Sequence, residues 1–395
     1  MIRHLFTLMW NRKRANGLLV LEIVLAFVVL FAVGSMGLYL WGNYRAPLGF
    51  TYANVWHVQC APGAQPRRDQ FGTFQQIIRQ LRATPGVLNV ARSLDNTPFS
   101  DNSNTSNVVV NKGRDQRECP QADRFEMGPE MRDLMGIEIK QGRWFNRSDE
   151  ASAHHPVIIT EALRDALFRP GELVLGRVLD TPENCQIVGV SGPFRQGGEL
   201  SEPRPAIIHF VGPQDTTTAL NTLLVRVQPG AGAQLEKKIS DDIRAASPTW
   251  SSAISPLAKQ RHRQLKQLLT LPVIQGIVCL FLLINVALGL FGVLWLNISQ
   301  RRGELGVRRA MGATAGAISG QVLGEILVLT TFGLALGLLV AMQFPLLGVL
   351  DVPAGVYGTA MALAAAGLYL LAVGCALYPS RLAAGIQPAV ALREG

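Results

Sequence analysis

Four long apolar runs decide what this chain can fold into. They extend from about Leu18 to Trp41, Val273 to Leu296, Ile318 to Phe344 and Val356 to Tyr378. A bilayer-spanning helix needs roughly 20 predominantly apolar residues, and all four runs meet that length. The first holds one charge, Glu22, and the third holds one, Glu325; the second and fourth hold none. Only 16% of the chain is charged, and the deficit lies in these runs. The first run is too long for the apolar stretch of a signal peptide, and no small-residue cleavage site follows it. The expected fold is therefore a membrane protein of four transmembrane α-helices, with a large α+β extracytoplasmic domain between the first and second.

Basic residues set the expected orientation. Arg3, Arg12, Lys13 and Arg14 precede the first run; Arg301, Arg302, Arg308 and Arg309 link the second and third; Arg381 and Arg393 follow the fourth. The only acidic residues in these pieces are Glu304 and Glu394, and the link between the third and fourth runs has no Lys or Arg. Both termini are thus expected in the cytoplasm, and Asn43–Leu271 outside. Almost all of the +9 net charge falls on one side, so the basic balance reflects topology and points to membrane lipid, not to nucleic acid. Leu5, Phe6, Leu8 and Met9 fall on one face before the basic cluster, which predicts an interfacial amphipathic helix.

The segment between the first two runs has the texture of a soluble domain. Strand signals at Val55–Cys60 and Val87–Ala91 flank a helical pattern of Phe71, Phe74, Ile78 and Leu81. The order recurs at Leu223–Val227, Ala233–Ala246 and Trp250–Ile254, giving two halves of one split βαβ subdomain. Between them, short strand signals at Val108–Val110, Ile137–Lys140, Val157–Thr160, Gln186–Val190 and Ala206–Phe210, with a helix at Glu161–Phe168, predict a β-rich insertion. Ser93–Ser106, rich in Asp, Asn and Ser, reads as a mobile loop. Leu257–Leu269 reads as a polar helical stalk leading into the second span.

The chemistry of enzymes is missing from this pattern. There is no Gly-Lys dipeptide, hence no P-loop, and no His-Glu-x-x-His. His154–His155 reads as a solvated loop, and no metal site is expected. Cys60, Cys119 and Cys185 allow at most one bridge; Cys279 and Cys375 read as packing residues within spans. A non-catalytic membrane subunit is expected.

The link Gln300-Arg301-Arg302-Gly303-Glu304-Leu305-Gly306-Val307-Arg308-Arg309-Ala310-Met311-Gly312-Ala313-Thr314 resembles the cytoplasmic link of FtsX-like permeases of ABC transporters, the MacB type among them. Tyr378-Pro379-Ser380-Arg381 and Pro388-Ala389-Val390-Ala391-Leu392-Arg393-Glu394 resemble the end of that family. Met135–Phe145, with its Gly142-Arg143-Trp144-Phe145, then Val157–Leu163 and Ile187–Val190, follow in the family's order.

The resemblance implies a permease dimer, with a second copy or a paralogue, driven by a separate ABC ATPase subunit. That partner would hold ATP and Mg; no cofactor is expected in this chain, and a periplasmic adaptor is a further candidate partner. It implies residence in the bacterial cell inner membrane. It divides the chain into a cytoplasmic amphipathic helix (1–16) and spans at 17–42, 272–298, 316–344 and 356–379. The MacB-like domain covers 43–271, made of 45–107 plus 211–256 with 108–210 inserted and 257–271 as stalk. A coupling helix (299–315), an outer loop (345–355) and a cytoplasmic tail (380–395) complete it. Glu304, Leu305, Arg308, Arg309 and Gly312 are the expected ATPase-coupling residues, with Arg301 and Arg302 as anchors at the lipid headgroups. Plain positive-inside topology is the alternative reading of those arginines. Glu22 and Glu325 are intramembrane candidates, or they reach headgroups and the arginines. Gly333-x-x-x-Gly337 permits close helix approach. The expected function is mechanotransmission for efflux or extracytoplasmic substrate handling. The alternatives are an FtsX-like regulatory permease controlling a cell-wall hydrolase, or a membrane-anchored sensor with no ATPase.

Overall fold

The computed structural model describes residues 13–111, 113, 115–181, 183–215, 221–349 and 352–384. The amphipathic segment before Arg12 and the Pro388–Glu394 motif lie outside the described residues. The elements run α1 (Lys13–Arg45), β1 (Val55–Ala61), α2 (Arg67–Ala83), β2 (Val87–Ser93), β3 (Thr105–Val110) and β4 (Arg117–Met127). Then come α3 (Met131–Met135), β5 (Ile139–Gly142), β6 (His155–Thr160), α4 (Glu161–Leu167), β7 (Cys185–Ser191), β8 (Ala206–Phe210) and β9 (Thr222–Val227). The chain closes with α5 (Ala233–Ala246), β10 (Ser251–Pro256), α6 (Leu257–Gln300), α7 (Arg302–Ala310), α8 (Ala315–Ala341), α9 (Gln343–Leu347) and α10 (Ala354–Ala384). Two compact units result: Met1–Gly42 with Leu269–Gly395, and Asn43–Leu268.

In the first unit, α1, α6, α8 and α10 are long and apolar enough to cross a membrane. Their core holds Ile23, Phe27 and Phe31 of α1, Leu290 and Leu294 of α6, Leu329 and Leu334 of α8, and Leu368 and Ala372 of α10. Outward-facing Leu280, Phe281, Leu288, Leu339 and Leu370 are more than half exposed. An apolar exterior of this kind is compatible with lipid and not with water. Small residues let the helices close up. A Cβ built on Gly333 would lie 2.7 Å from Ile23 Cγ2, and one on Gly337 would lie 2.6 Å from Phe27 Cδ1. The Gly333–Gly337 pair is thus the surface on which α8 meets α1. Pro272 lies inside α6, where it removes one helical N–H donor without ending the helix.

The second unit holds two sheets. The four-stranded sheet has the order β10-β1-β9-β2, with every pair antiparallel. Strand β9 lies between β1 and β2, and β1 between β9 and β10, so each βαβ unit is split by a strand of the other. Helices α2 and α5 cover one face through Phe74, Ile77, Ile78, Leu81, Ile239 and Ile243, packed on Val58, Val90 and Val225. The six-stranded mixed sheet has the order β3-β4-β8-β6-β7-β5. One face packs Leu163 and Leu167 of α4 on Val157, Ile159, Ile187 and Ile207. The other joins Phe125, Ile158 and Ile208 to Met131 and Leu134 of α3, and to Val55, Ala91 and Leu224 of the four-stranded sheet.

One strand is added and two local expectations are corrected. Strand β4 has no counterpart among the expected strands; its register against β3 slips between Ser106 and Val108, and Pro120 falls in that irregularity, where a missing donor is tolerated. The strand expected from Ile137 starts at Ile139. Gly136 caps α3 in the left-handed region (φ +66°), and the Ile137 N–H still donates to the Arg132 carbonyl at 3.1 Å. The Ser93–Ser106 loop is held in place. Phe99 is buried against Phe50 and Tyr52, Asn96 Nδ2 donates to the Arg124 carbonyl at 2.8 Å, and the Phe99 N–H donates to the Gln196 carbonyl at 2.8 Å.

All five cysteines are free. Cys60 lies in the four-stranded sheet, and Cys119 on β4 is separated from Cys185 on β7 by β8 and β6. Strands are about 4.8 Å apart, so that pair is far outside bridging distance.

Candidate functional site

The turn between α6 and α8 is built by local rules. Arg301 leaves the helical region (φ −109°, ψ 17°) and ends α6. The next helix, α7, places Glu304 in its first turn and Arg308 and Arg309 in its last, each sign at the favoured end of the helix dipole. Gly312, at φ +98°, takes the left-handed position just past the helix; its N–H donates to the Arg309 carbonyl at 3.1 Å, and that of Ala313 to the Arg308 carbonyl at 3.0 Å. Thr314 then caps α8, its hydroxyl accepting from the Ala317 N–H at 3.2 Å. A nine-residue helix is thereby fixed between two spans by one glycine and one threonine.

Leu305 anchors α7; it is 6% exposed and belongs to the same core as Ile298 and Ile318. A charged chain holds the other side. Arg308 donates to Glu304 and, at 2.7 Å, to Gln321 Oε1 of α8. Gln321 Nε2 donates to Glu325 Oε1 at 3.3 Å, and Arg301 Nη1 donates to the same oxygen at 3.1 Å. Hydrogen bonds to charged groups contribute about 1.5–3 kcal/mol each when shielded from water. The Arg301–Glu325 pair, with side chains 20% and 24% exposed, is the better shielded of the two ion pairs.

The structure therefore brings Glu304, Arg308 and Glu325 into one network and adds Gln321, which carries no signal in the sequence. It corrects the reading of Arg301, which binds Glu325 instead of standing free at the headgroups. The Arg302 side chain lies outside the described residues. Arg309 is half-buried and makes no ion pair among the described residues. Glu22 stays apart from the network: its carboxylate lies against α6 where Gly289 leaves room, since a Cβ there would sit 2.7 Å from Glu22 Oε2. The outward face of α7 exposes Gly303, Glu304, Val307, Ala310 and Met311, with Met311 76% exposed. Val307 and Met311 read as ordinary apolar residues in sequence; only the burial of Leu305 shows that they point the other way. Among the described residues the arrangement holds no nucleophile or acid–base pair. It is a rigid knob with a mixed apolar and acidic surface, tied to the ends of two spans.

Elsewhere, His155 does not lie in a solvated loop. It opens β6, with its ring centroid 5.6 Å from that of His209 on β8.

Comparison with known proteins places this chain in a family. Residues 17–242 match the MacB-like periplasmic core domain and residues 276–388 the FtsX-like permease C-terminal segment. The chain is 25% identical over 225 residues to the macrolide export ATP-binding/permease protein MacB 1/2 of Paracoccus denitrificans, covering 56% of this chain and 34% of that protein. The matched segment thus spans about a third of that relative. It is 26% identical over 275 residues to the uncharacterized ABC transporter permease YvrN of Bacillus subtilis, covering 66% of this chain and 67% of that one. The crystal structure of the periplasmic region of MacB from Actinobacillus actinomycetemcomitans aligns with a TM-score of 0.37 at 15% identity, over 54% of this chain and 92% of that one. With the periplasmic core match covering more than half of its length and the permease match most of the rest, the chain belongs to the MacB/FtsX-like family of ABC transporter permeases.

Proposed function

We propose that this chain is a permease subunit that receives ATP-driven movement from a separate ABC ATPase and passes it to the domain spanning residues 43–268. The working unit is a dimer in the bacterial inner membrane, with both termini cytoplasmic and that domain outside. ATP and Mg belong to the partner. The output is efflux or handling of a substrate at the outer face. The names of the MacB relatives suggest a bulky amphiphile of the macrolide kind as the first substrate class to test.

The observation that carries this reading is α7. Its outward face offers Glu304, Val307 and Met311 to a partner, while Leu305 and the Arg308–Gln321–Glu325–Arg301 chain lock its inward face to α6 and α8. A push on such a knob moves both span ends together, because the knob has no slack of its own. Glu304 and Met311 are accordingly the contact residues, and Arg308 is an internal brace as well as a contact.

The test is purification of the untruncated chain from its own cells, with identification of any co-purifying ABC ATPase and measurement of ATP hydrolysis. Truncating a desolvated charged contact typically costs about 2–5 kcal/mol of binding. Glu304→Arg and Met311→Glu should each release the ATPase or leave hydrolysis unaffected by substrate, with Arg302→Gln as the control. Full binding, hydrolysis and cellular function in both variants, with normal membrane insertion, would reduce α7 to a topology signal.

A further inference from the structure

We propose that His155, Glu183 and His209, with Cys185 beside them, form a binding site for one divalent transition-metal ion of the zinc class. Sequence spacing conceals this site because its residues come from three strands. In the six-stranded sheet β6 lies between β8 and β7. His155 pairs directly with Cys185 across β6 and β7, and His209 lies opposite Val157, two residues along β6 from His155. Side chains two apart on a strand share a face, so all three project from one face at one end of the sheet. Glu183 precedes β7, and Asn184, in the left-handed region at φ +47°, turns the chain between Glu183 and Cys185.

The distances suit a shared ion. One ligand atom from each of His155, Glu183 and His209 lies within 4.8 Å of the others. His209 Nδ1 is 3.1 Å from Glu183 Oε2 and 4.0 Å from Cys185 Sγ, and Cys185 Sγ is 3.9 Å from Glu183 Oε2. Around tetrahedral zinc, with bonds of roughly 2.0–2.1 Å to nitrogen or oxygen and about 2.3 Å to sulfur, N/O ligand pairs lie about 3.3 Å apart and N/S pairs about 3.6 Å. The Glu183, His209 and Cys185 spacings are within a few tenths of an ångström of these values, and His155, within 4.8 Å of Glu183 and His209, completes the set by moving in by at most about 1.5 Å. Arg124 Nη2 donates to Glu183 Oε1 at 3.3 Å, which leaves Oε2 turned to the histidine. An outer partner of this kind orients a ligating carboxylate.

His209 and Cys185 are buried, His155 is half-buried and Glu183 is exposed, so solvent reaches the cluster from one side. Two imidazoles, a carboxylate and a sulfur suit zinc or copper; magnesium and calcium require shells of oxygen.

The experiment uses the full-length chain in detergent micelles, purified without a polyhistidine tag and stripped with a chelator. Zinc is titrated in competition with a chromophoric chelator. The native chain and a His154→Ala control should bind one equivalent. His155→Ala and Glu183→Gln should bind at least tenfold more weakly, since even outer partners of a metal site typically change affinity by about 10–100-fold. Glu183 is exposed, so its variant keeps the test valid if His155→Ala fails to fold. At a zinc concentration near the native dissociation constant, zinc should raise the unfolding temperature of the native chain more than that of either variant. No stoichiometric binding by the native chain, or unchanged affinity in a folded Glu183→Gln variant, would overturn the site.

Discussion

Adding a single methyl group at Gly333 measures how closely α1 and α8 approach. A Cβ there would lie 2.7 Å from Ile23 Cγ2, 3.0 Å from Ile23 Cβ and 3.5 Å from the Val20 carbonyl oxygen. Carbon atoms in contact prefer about 3.5–4.0 Å, so Gly333→Ala must force the helices apart by about 1 Å or distort Ile23. Overpacking of this kind costs about 1–3 kcal/mol. The same substitution gains up to about 1 kcal/mol of helix propensity, which masks part of the loss. Gly324 on the same helix supplies the correction, because nothing lies within 4 Å of its Cβ position. Gly333→Ala should therefore be about 1–3 kcal/mol less stable than Gly324→Ala. Ile23→Ala removes the obstructing Cγ2, so the pair of changes should cost at least about 1 kcal/mol less than the sum of the singles. Unfolding free energies in mixed micelles containing dodecyl sulfate provide the assay. Equal stability of the two alanine variants, or strict additivity with Ile23→Ala, would refute the close contact.

A cysteine placed at exposed Ser103 should react with a membrane-impermeant thiol reagent in cells whose outer barrier is opened, and one at exposed Ser299 should not; the reverse pattern would invert the topology. Glu172 is held down to about 2, from an ordinary 4.5, chiefly by Arg117 and the Arg169 N–H. A depressed carboxylate stabilises the fold fully above about 4.5 and loses that contribution as pH falls towards 2. Glu172→Gln should thus lower the unfolding temperature at pH 7, with the gap closing between those limits; a gap independent of pH would exclude the charge as its cause. Mass mapping of the non-reduced protein should find Cys60, Cys119 and Cys185 all unbridged, and any bridge between Cys119 and Cys185 would contradict the strand order.

The parts of the fold legible in the sequence are those where local apolar pattern decides burial. The helix through Phe74, Ile78 and Leu81 was readable because its burial follows the helical period, and the strand Ala206–Phe210 because it is a short apolar run buried on both faces. Strand β4 was not, because its first half is exposed at the edge of the sheet and pairs only through a slipped register around Pro120. The packed state of the Asn96–Phe99 turn depends on Gln196 and Arg124, residues far away in sequence. The link was recognisable as a site through its charge and its glycines. The partners within it were not, since Arg301 meets Glu325 across two helices. His209 illustrates the same limit: a lone histidine in an apolar strand becomes part of a cluster only once β6 and β7 lie beside it.

The split arrangement of the four-stranded sheet bears on how the domain is made. Strands β1 and β2 do not touch each other; both wait for β9, which is synthesised only after the whole six-stranded sheet. Loop closure over so long a stretch is slow, and unpaired strands are open to wrong partners meanwhile. The inserted sheet, whose paired strands lie closer together in sequence than β1 and β9 or β2 and β9, can form first and bring the ends of its own segment together. Strand β9 then enters as a wedge between two strands already emerged, and β10 seals the outer edge last. Biogenesis thus proceeds from the inside of the sequence outwards, and substitutions that slow the insertion should show up as aggregation or proteolysis of nascent chains even where the finished protein is stable.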